Sequence, residues 1–150
     1  MAQTLTRLLV HAIFSTKNRA NLIKPEIEPE LYAYMGGICR NAGSPLLAAG
    51  GTANHVHLLI SLAKTQCVGE LMMAVKKDSS KWIKTKAAYF TGFQWQEGYG
   101  AFTIGESQVD DLKVYISRQK EHHRSISFEE EYLTFLRKYN VPYDERYLWT

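Results

Sequence analysis

The chain has 150 residues, 45% of them hydrophobic and 22% charged, which suits one globular domain and excludes a wholly disordered chain. Its net charge of +3 permits a nucleic-acid partner without requiring one. No stretch approaches the ~18 apolar residues of a membrane helix, and the N-terminus lacks a secretory pattern. We therefore expect a single cytoplasmic domain over residues 1–150, without a membrane partner.

Apolar and β-branched runs alternate along the chain with segments of helical periodicity. In chain order these predict strand 8–15, helix 30–42, strand 46–49, strand 55–62, helix 68–88, strand 93–104, helix 107–123 and helix 128–139. The order begins with the split arrangement of ferredoxin-like folds. We predict an α+β, ferredoxin-like fold: a four-stranded antiparallel sheet with helices on one face and a C-terminal helix that bears Tyr115.

Two local signals refine the element boundaries. The stretch GGTAN at 50–54 predicts a bend of the chain just before the third strand, and its two glycines would let a ligand or backbone come close. Ser107 suits the N-cap of the third helix, and Asp110 three residues later completes a pair that resembles a capping box.

The triplet His55-Val56-His57 is the most informative motif in the chain. Residues two apart in a strand point to the same face, so the two imidazoles project side by side and Val56 enters the opposite layer. Two neighbouring imidazoles can hold one divalent metal. For an isolated His-x-His pattern, two half-buried histidines with backbone partners are the more common outcome, and this alternative stays open.

Tyr115 and Gln119 lie four residues apart and therefore share one face of the predicted helix. A phenol oxygen can act as a covalent nucleophile, and the Gln119 carbonyl oxygen could serve as a third metal ligand. Val114 and Ile116 flank the tyrosine, so on pattern alone Tyr115 is more often a core residue.

Three motifs occur in one order along the chain: HVHLLI at 55–60, WQEGYG at 95–100 and YISRQKEHH at 115–123. In that order the chain resembles the IS200-like insertion-sequence transposases, the smallest single-tyrosine members of the HUH (His-hydrophobe-His) endonucleases. The resemblance covers nearly the whole chain. Each motif is weak by itself, and the three together are specific.

The resemblance implies a DNA transposase that cleaves and rejoins single-stranded DNA at hairpin-bearing element ends. Tyr115 would form a 5′-phosphotyrosine link, and His55, His57 and Gln119 would hold Mg²⁺ or Mn²⁺. It further implies a homodimer in which the tyrosine helix of one protomer completes the metal site of the other. The best local candidates for DNA contacts are four lysines of the second helix, which could equally form a solvated face: Lys76, Lys77, Lys81 and Lys84.

Other functions stay open on the sequence. They are a repeat-associated tyrosine transposase that serves the host, a domesticated hairpin binder without catalysis, and a zinc hydrolase that uses His55 and His57 but not Tyr115. His122 and His123 are interpreted as polar residues at a helix end, although either could touch the phosphate. The acidic run 129–131 is interpreted as a charged helix start.

Overall fold

The structure is a computed structural model that describes residues 2–150. Its strands form one antiparallel sheet in the spatial order β2-β3-β1-β4. The strands are β1 (Leu8–Ser15), β2 (Leu46–Thr52), β3 (His55–Leu62) and β4 (Gly100–Ile104). This order and the helices between the strands confirm the predicted α+β, ferredoxin-like fold.

Helices cover both faces of the sheet. They are α1 (Glu28–Asn41), α2 (Val68–Lys84), α3 (Val109–Ser117), α4 (Gln119–His122), α5 (Phe128–Lys138) and α6 (Glu145–Leu148). The large core lies between the sheet and α1 with α2. Residues of α3 and α5 pack on the opposite face of the sheet in two smaller clusters. The ring of Tyr115 packs against the cluster under α3.

The alternation along β3 sorts its residues between the two faces. Val56, Leu58 and Ile60 belong to the large core, whereas Leu59 belongs to a cluster under α3. His55 and His57 share the face of Leu59 and are fully buried. The predicted side-by-side placement of the two imidazoles is thus confirmed, with Val56 in the opposite layer.

The predicted bend over 50–54 is confirmed only at Ala53 and Asn54, which form the turn between β2 and β3; Gly50 and Gly51 instead belong to β2 and pair with β3. The glycines serve a close approach. A Cβ atom at Gly50 would collide with the backbone carbonyl oxygen of Ile116, so α3 rests directly on the strand at this position.

The predicted strand 93–104 is correct only in its second half, as β4. Residues 93–99 form an irregular segment with one isolated bridge between Trp95 and Thr16. The side chains of Phe93 and Trp95 point into the large core, and the Trp95 Nε1–H donates to Ser79 Oγ at 3.0 Å. Burial of individual aromatic side chains, rather than strand pairing, therefore accounts for the composition of this segment.

The single helix predicted over 107–123 is in fact two helices. The chain departs from helical geometry at Arg118 (φ −105°, ψ 21°), between α3 and α4. Ser107 is not the N-cap; it lies in a short 3-10 turn that precedes α3, and Gln108 Oε1 accepts the Gly105 N–H there at 2.9 Å. The predicted helix 68–88 ends earlier, as α2 stops at Lys84.

Within residues 2–150, no helix combines the length and the apolar character needed to cross a membrane.

Candidate metal centre and nucleophile

His55 stands at the start of β3 with its ring held in one orientation. Its Nδ1 lies 2.8 Å from Asn54 Oδ1, an atom that can only accept, so Nδ1 carries the proton and donates. Burial lowers the pKa of His55 to about 3, so the ring is neutral and its Nε2 presents a lone pair. That nitrogen is directed at the helices above the sheet.

Gln119 lies directly above that lone pair. It is 1% exposed, and its Oε1 lies 3.0 Å from His55 Nε2 and 3.0 Å from His123 Nε2. With His55 neutral and protonated on Nδ1, a nitrogen lone pair and an amide oxygen face one another, an arrangement that a cation between them would stabilise. The break at Arg118 places Gln119 at the first residue of α4, where it reaches the sheet.

His57 is tied to a second buried imidazole that sequence reasoning missed. Its Nδ1 lies 2.8 Å from the Nε2 of His11, a fully buried residue of β1. Burial and the neighbouring His57 lower the pKa of His11 to about 3. The available signal was a single polar residue inside the apolar strand LLVHAIFS, on the face that His11 shares with Ile13 and Leu9.

Glu131 of α5 closes the group from above. It is 2% exposed, and its Oε1 lies 3.0 Å from His57 Nε2, 3.1 Å from His123 Nε2 and 3.5 Å from His55 Nε2. Burial by itself would raise the pKa of this carboxyl, but hydrogen bonds from His123 and His57 hold it well below its usual range.

Glu131 lies in the first turn of α5 and His123 is the C-cap of α4, as predicted for helix-end residues, but both side chains also face this group of imidazoles. Glu131 shares the apolar face of α5 with Phe128 and Tyr132, three residues before it and one after it, and all three are buried. A carboxylate on an apolar helical stripe was the sequence signal that pointed to a site.

Four residues offer ligand atoms that lie within 4.8 Å of one another: His55, His57, His123 and Glu131. Imidazole nitrogens and a carboxylate oxygen, with the Gln119 carbonyl oxygen beside them, are ligands that divalent metals accept. Two ligand atoms about 2.1 Å from one ion lie about 3.0 Å apart at a right angle and about 3.4 Å apart at the tetrahedral angle. The separations around Glu131 Oε1 match these values, so the group can hold a divalent metal.

Tyr115 of α3 lies at the edge of this group. Its hydroxyl donates to Glu131 Oε2 and lies 3.4 Å from His122 Nε2. Burial and the hydrogen bond to Glu131 raise the pKa of the phenol above its ordinary value, so the resting group is a protonated hydroxyl. Although its ring packs on the cluster under α3, Tyr115 directs its oxygen to the candidate metal centre, all within one chain.

The four lysines proposed for DNA contacts lie elsewhere, because α2 covers the other face of the sheet. Lys77, Lys81 and Lys84 are exposed. Lys76 does not face solvent as predicted. Its Nζ donates to the backbone carbonyl oxygens of Gln96, Glu97 and Gly98 at 2.9, 3.0 and 2.5 Å, and burial lowers its pKa to about 8.

Comparison with known protein families identifies the chain. The sequence profile of the family described as "Transposase IS200 like" matches residues 4–119, more than three quarters of its length. The chain belongs to the IS200-like transposase family. The matched range contains His55, His57, Tyr115 and Gln119, and ends before His123 and Glu131.

Individual relatives agree with this assignment. The chain is 24% identical to ISDra2 transposase TnpA from Deinococcus radiodurans over 118 residues, which cover 75% of this chain and 84% of that protein. A crystal structure of a candidate transposase from Deinococcus radiodurans R1 superposes with a TM-score of 0.62 and 22% identity, over 79% of this chain and 95% of the other. A REP-associated tyrosine transposase, solved bound to a REP hairpin, gives a TM-score of 0.61 at 14% identity, over 84% and 76%. These likenesses confirm the fold.

Proposed function

We propose that this IS200-like transposase is a metal-dependent endonuclease and strand transferase for single-stranded DNA, in which Tyr115 attacks a phosphodiester. One observation carries the proposal. The Tyr115 hydroxyl, the only side-chain oxygen of α3 that meets the group, lies against a buried cluster of imidazole, amide and carboxylate ligands. A packing tyrosine has no need of such neighbours.

His55, His57 and Gln119 are the residues that we propose to hold Mg²⁺ or Mn²⁺. The bound ion would neutralise phosphate charge and polarise the phosphorus centre. Because His55 is neutral and offers Nε2, it needs to lose no proton before it binds a cation. Tyr115 sits beside these ligands, so a phosphate held by them lies within reach of the phenol oxygen.

In the proposed step, the Tyr115 oxygen forms a bond to phosphorus while the bond to the 3′-oxygen breaks. The products are a 5′-phosphotyrosine and a free 3′-hydroxyl. His122 can take the phenol proton once the Tyr115 hydroxyl turns from Glu131 Oε2 towards His122 Nε2, which lies 3.4 Å from the phenol oxygen and 3.3 Å from Glu131 Oε2. The one-third-exposed His122 side chain can then pass the proton to water.

The covalent intermediate conserves the energy of the phosphodiester bond. A 3′-hydroxyl can therefore attack the phosphotyrosine and rejoin strands without ATP, which makes the same site a strand transferase. We propose DNA hairpins as the substrate, supported by the structural likeness to a transposase solved with a REP hairpin. A DNA substrate implies action in the cytoplasm. Contacts of Lys77, Lys81 and Lys84 with phosphates stay predictions.

In the single chain of the structure, α3, α4 and α5 lie over β3 of the same chain and bring Tyr115, Gln119 and Glu131 to its histidines. The chemistry that we propose needs no residue from a second copy. The homodimer with sites completed in trans, which the family resemblance implied, remains a prediction to be tested by mixing variants.

An adduct assay tests this function. The protein and its Tyr115→Phe variant are incubated with labelled single-stranded hairpin oligonucleotides and Mn²⁺, then denatured and resolved on a gel. We expect a labelled protein band from the parent that disappears in the variant and with a chelator. Tight hairpin binding without any adduct, across a broad set of oligonucleotides, would support the non-catalytic binder instead. Hydrolysis that persists in Tyr115→Phe would support the zinc hydrolase.

A further inference from the structure

We propose that Glu131 is itself a ligand of the metal ion in this chain, so that the ion fastens the C-terminal helix α5 to the sheet. The inference rests on the metal site of the proposed function and extends its ligand set beyond His55, His57 and Gln119. It assigns a role in the centre to a residue that lies outside the part of the chain matched by the family profile.

The position of one atom is the first support. Glu131 Oε1 is within 3.5 Å of three imidazole nitrogens, those of His55, His57 and His123. These nitrogens converge on it from β3 and from the end of α4. An oxygen that only neutralised one histidine would not need to face all three. The separations are those expected between ligands that share one ion.

The charge of the carboxylate is the second support. Glu131 is 2% exposed, and all of its ion-pair partners among residues 2–150 are histidines. Burying a carboxylate is costly unless a positive charge compensates it. No Lys or Arg of the described chain pairs with Glu131. A divalent cation bound by Oε1 would place a permanent positive charge beside this buried carboxylate.

The anchoring of α5 is the consequence. The apolar face of α5 packs on the sheet in a small cluster that includes Phe128, Tyr132 and Leu136 with Ile13 and Phe102. The first turns of the helix are therefore held by this apolar cluster together with the polar contacts of Glu131. An ion held jointly by β3 and Glu131 would add a cross-link at this point.

The same residue also positions the nucleophile. While Oε1 faces the imidazoles, Oε2 accepts the hydrogen bond of the Tyr115 hydroxyl. Metal binding at Oε1 would thus fix the carboxylate plane and, through it, the phenol. Glu131 acts on Tyr115 as a positioning residue and on the ion as a ligand.

Calorimetric titration with Mn²⁺ tests the inference on the full chain. Glu131→Gln keeps the size of the side chain but removes its charge, and Glu130→Gln removes one charge from the adjacent, exposed position. We expect Glu131→Gln to bind Mn²⁺ at least about tenfold more weakly, while Glu130→Gln matches the parent. A folded Glu131→Gln variant with parental Mn²⁺ affinity would overturn the proposal.

Hydrogen exchange on the unsubstituted protein provides a test that no folding defect can obscure. Added Mn²⁺ should slow exchange of amides 128–138 relative to the chelated protein, because the ion joins α5 to β3. Unchanged exchange of α5, with protection confined to 55–62 and 115–123, would also overturn the inference.

The two proposals fail in distinguishable ways. A Mn²⁺-dependent adduct at Tyr115 together with parental Mn²⁺ binding by Glu131→Gln would leave the proposed function standing and remove the inference. Mn²⁺ binding that depends on Glu131, without any DNA adduct, would support the inference about Glu131 and contradict the proposed function.

Discussion

Replacing His11 by leucine tests how the site controls the tautomer of His57. For His57 Nε2 to offer its lone pair to an ion, its Nδ1 must carry the proton and donate it to His11 Nε2, 2.8 Å away. His11 then keeps its own proton on Nδ1, which is buried without a partner among the described residues. Leucine has a similar volume and cannot accept the hydrogen bond.

The magnitude follows from counting buried polar atoms. The substitution removes one unpartnered nitrogen, His11 Nδ1, and creates another, His57 Nδ1. Each such atom costs about 1–3 kcal/mol, so the two effects largely cancel and the metal-free protein should change in stability by less than about 1 kcal/mol. Metal affinity has no such compensation. Loss of the residue that hydrogen-bonds a metal-ligating histidine typically lowers the affinity for the metal by about 10- to 100-fold.

Urea unfolding in chelator and calorimetric titration with Mn²⁺ measure the two quantities separately. His11→Gln serves as the matched control, since its amide oxygen can accept the His57 proton and should recover part of the lost affinity. The reasoning is refuted if His11→Leu folds normally and binds Mn²⁺ within a factor of two of the parent.

Three further outcomes are expected. Burial lowers the pKa values of His11 and His55 to about 3 in the folded chain, against 6.5 for the free side chain. As the pH falls, the unfolded state therefore binds protons before the folded state does. The free energy of unfolding in chelator, measured with urea, should fall by up to about 2 kcal/mol per histidine between pH 7 and pH 5. A mixture of Tyr115→Phe with His55→Ala distinguishes the two arrangements. No DNA adduct is expected if Tyr115 serves the metal site of its own chain, whereas a restored adduct band would show sites completed in trans, as the family resemblance implies. Gly50→Ala should lower the free energy of unfolding by about 1–3 kcal/mol, because the added Cβ collides with the backbone of α3. The control Gly37→Ala, whose added Cβ contacts no other atom, should not destabilise α1. Equal effects of the two substitutions would contradict the packing described.

The strand part of the site could be predicted because its signal is local. A period of two places His55 and His57 on one face whatever else the chain does, and the structure places them so. The order of elements likewise led to the ferredoxin-like sheet. Tyr115 and Gln119 were identified from family resemblance; helical spacing by itself left Tyr115 as a core residue.

Residues that reach the site across the fold escaped prediction, since their role depends on contacts between distant segments. His11 approaches His57 from a neighbouring strand 46 positions away, and Glu131 arrives on α5 74 positions after His57. Lys76 was assigned to a solvated face by helical periodicity, yet the irregular segment 93–99 folds over it and engages its ammonium. The interruption of the helix at Arg118 could not be predicted either, because no glycine or proline lies near this position.

Mapping the covalent adduct tests the central claim most directly. The adduct formed with a hairpin oligonucleotide in Mn²⁺ is digested with protease and nuclease, and the modified peptide is sequenced by mass spectrometry. The account predicts a single 5′-nucleotide phosphate attached to the oxygen of Tyr115. A phosphate on another of the nine tyrosines, or DNA cleavage that leaves no peptide modified, would contradict it.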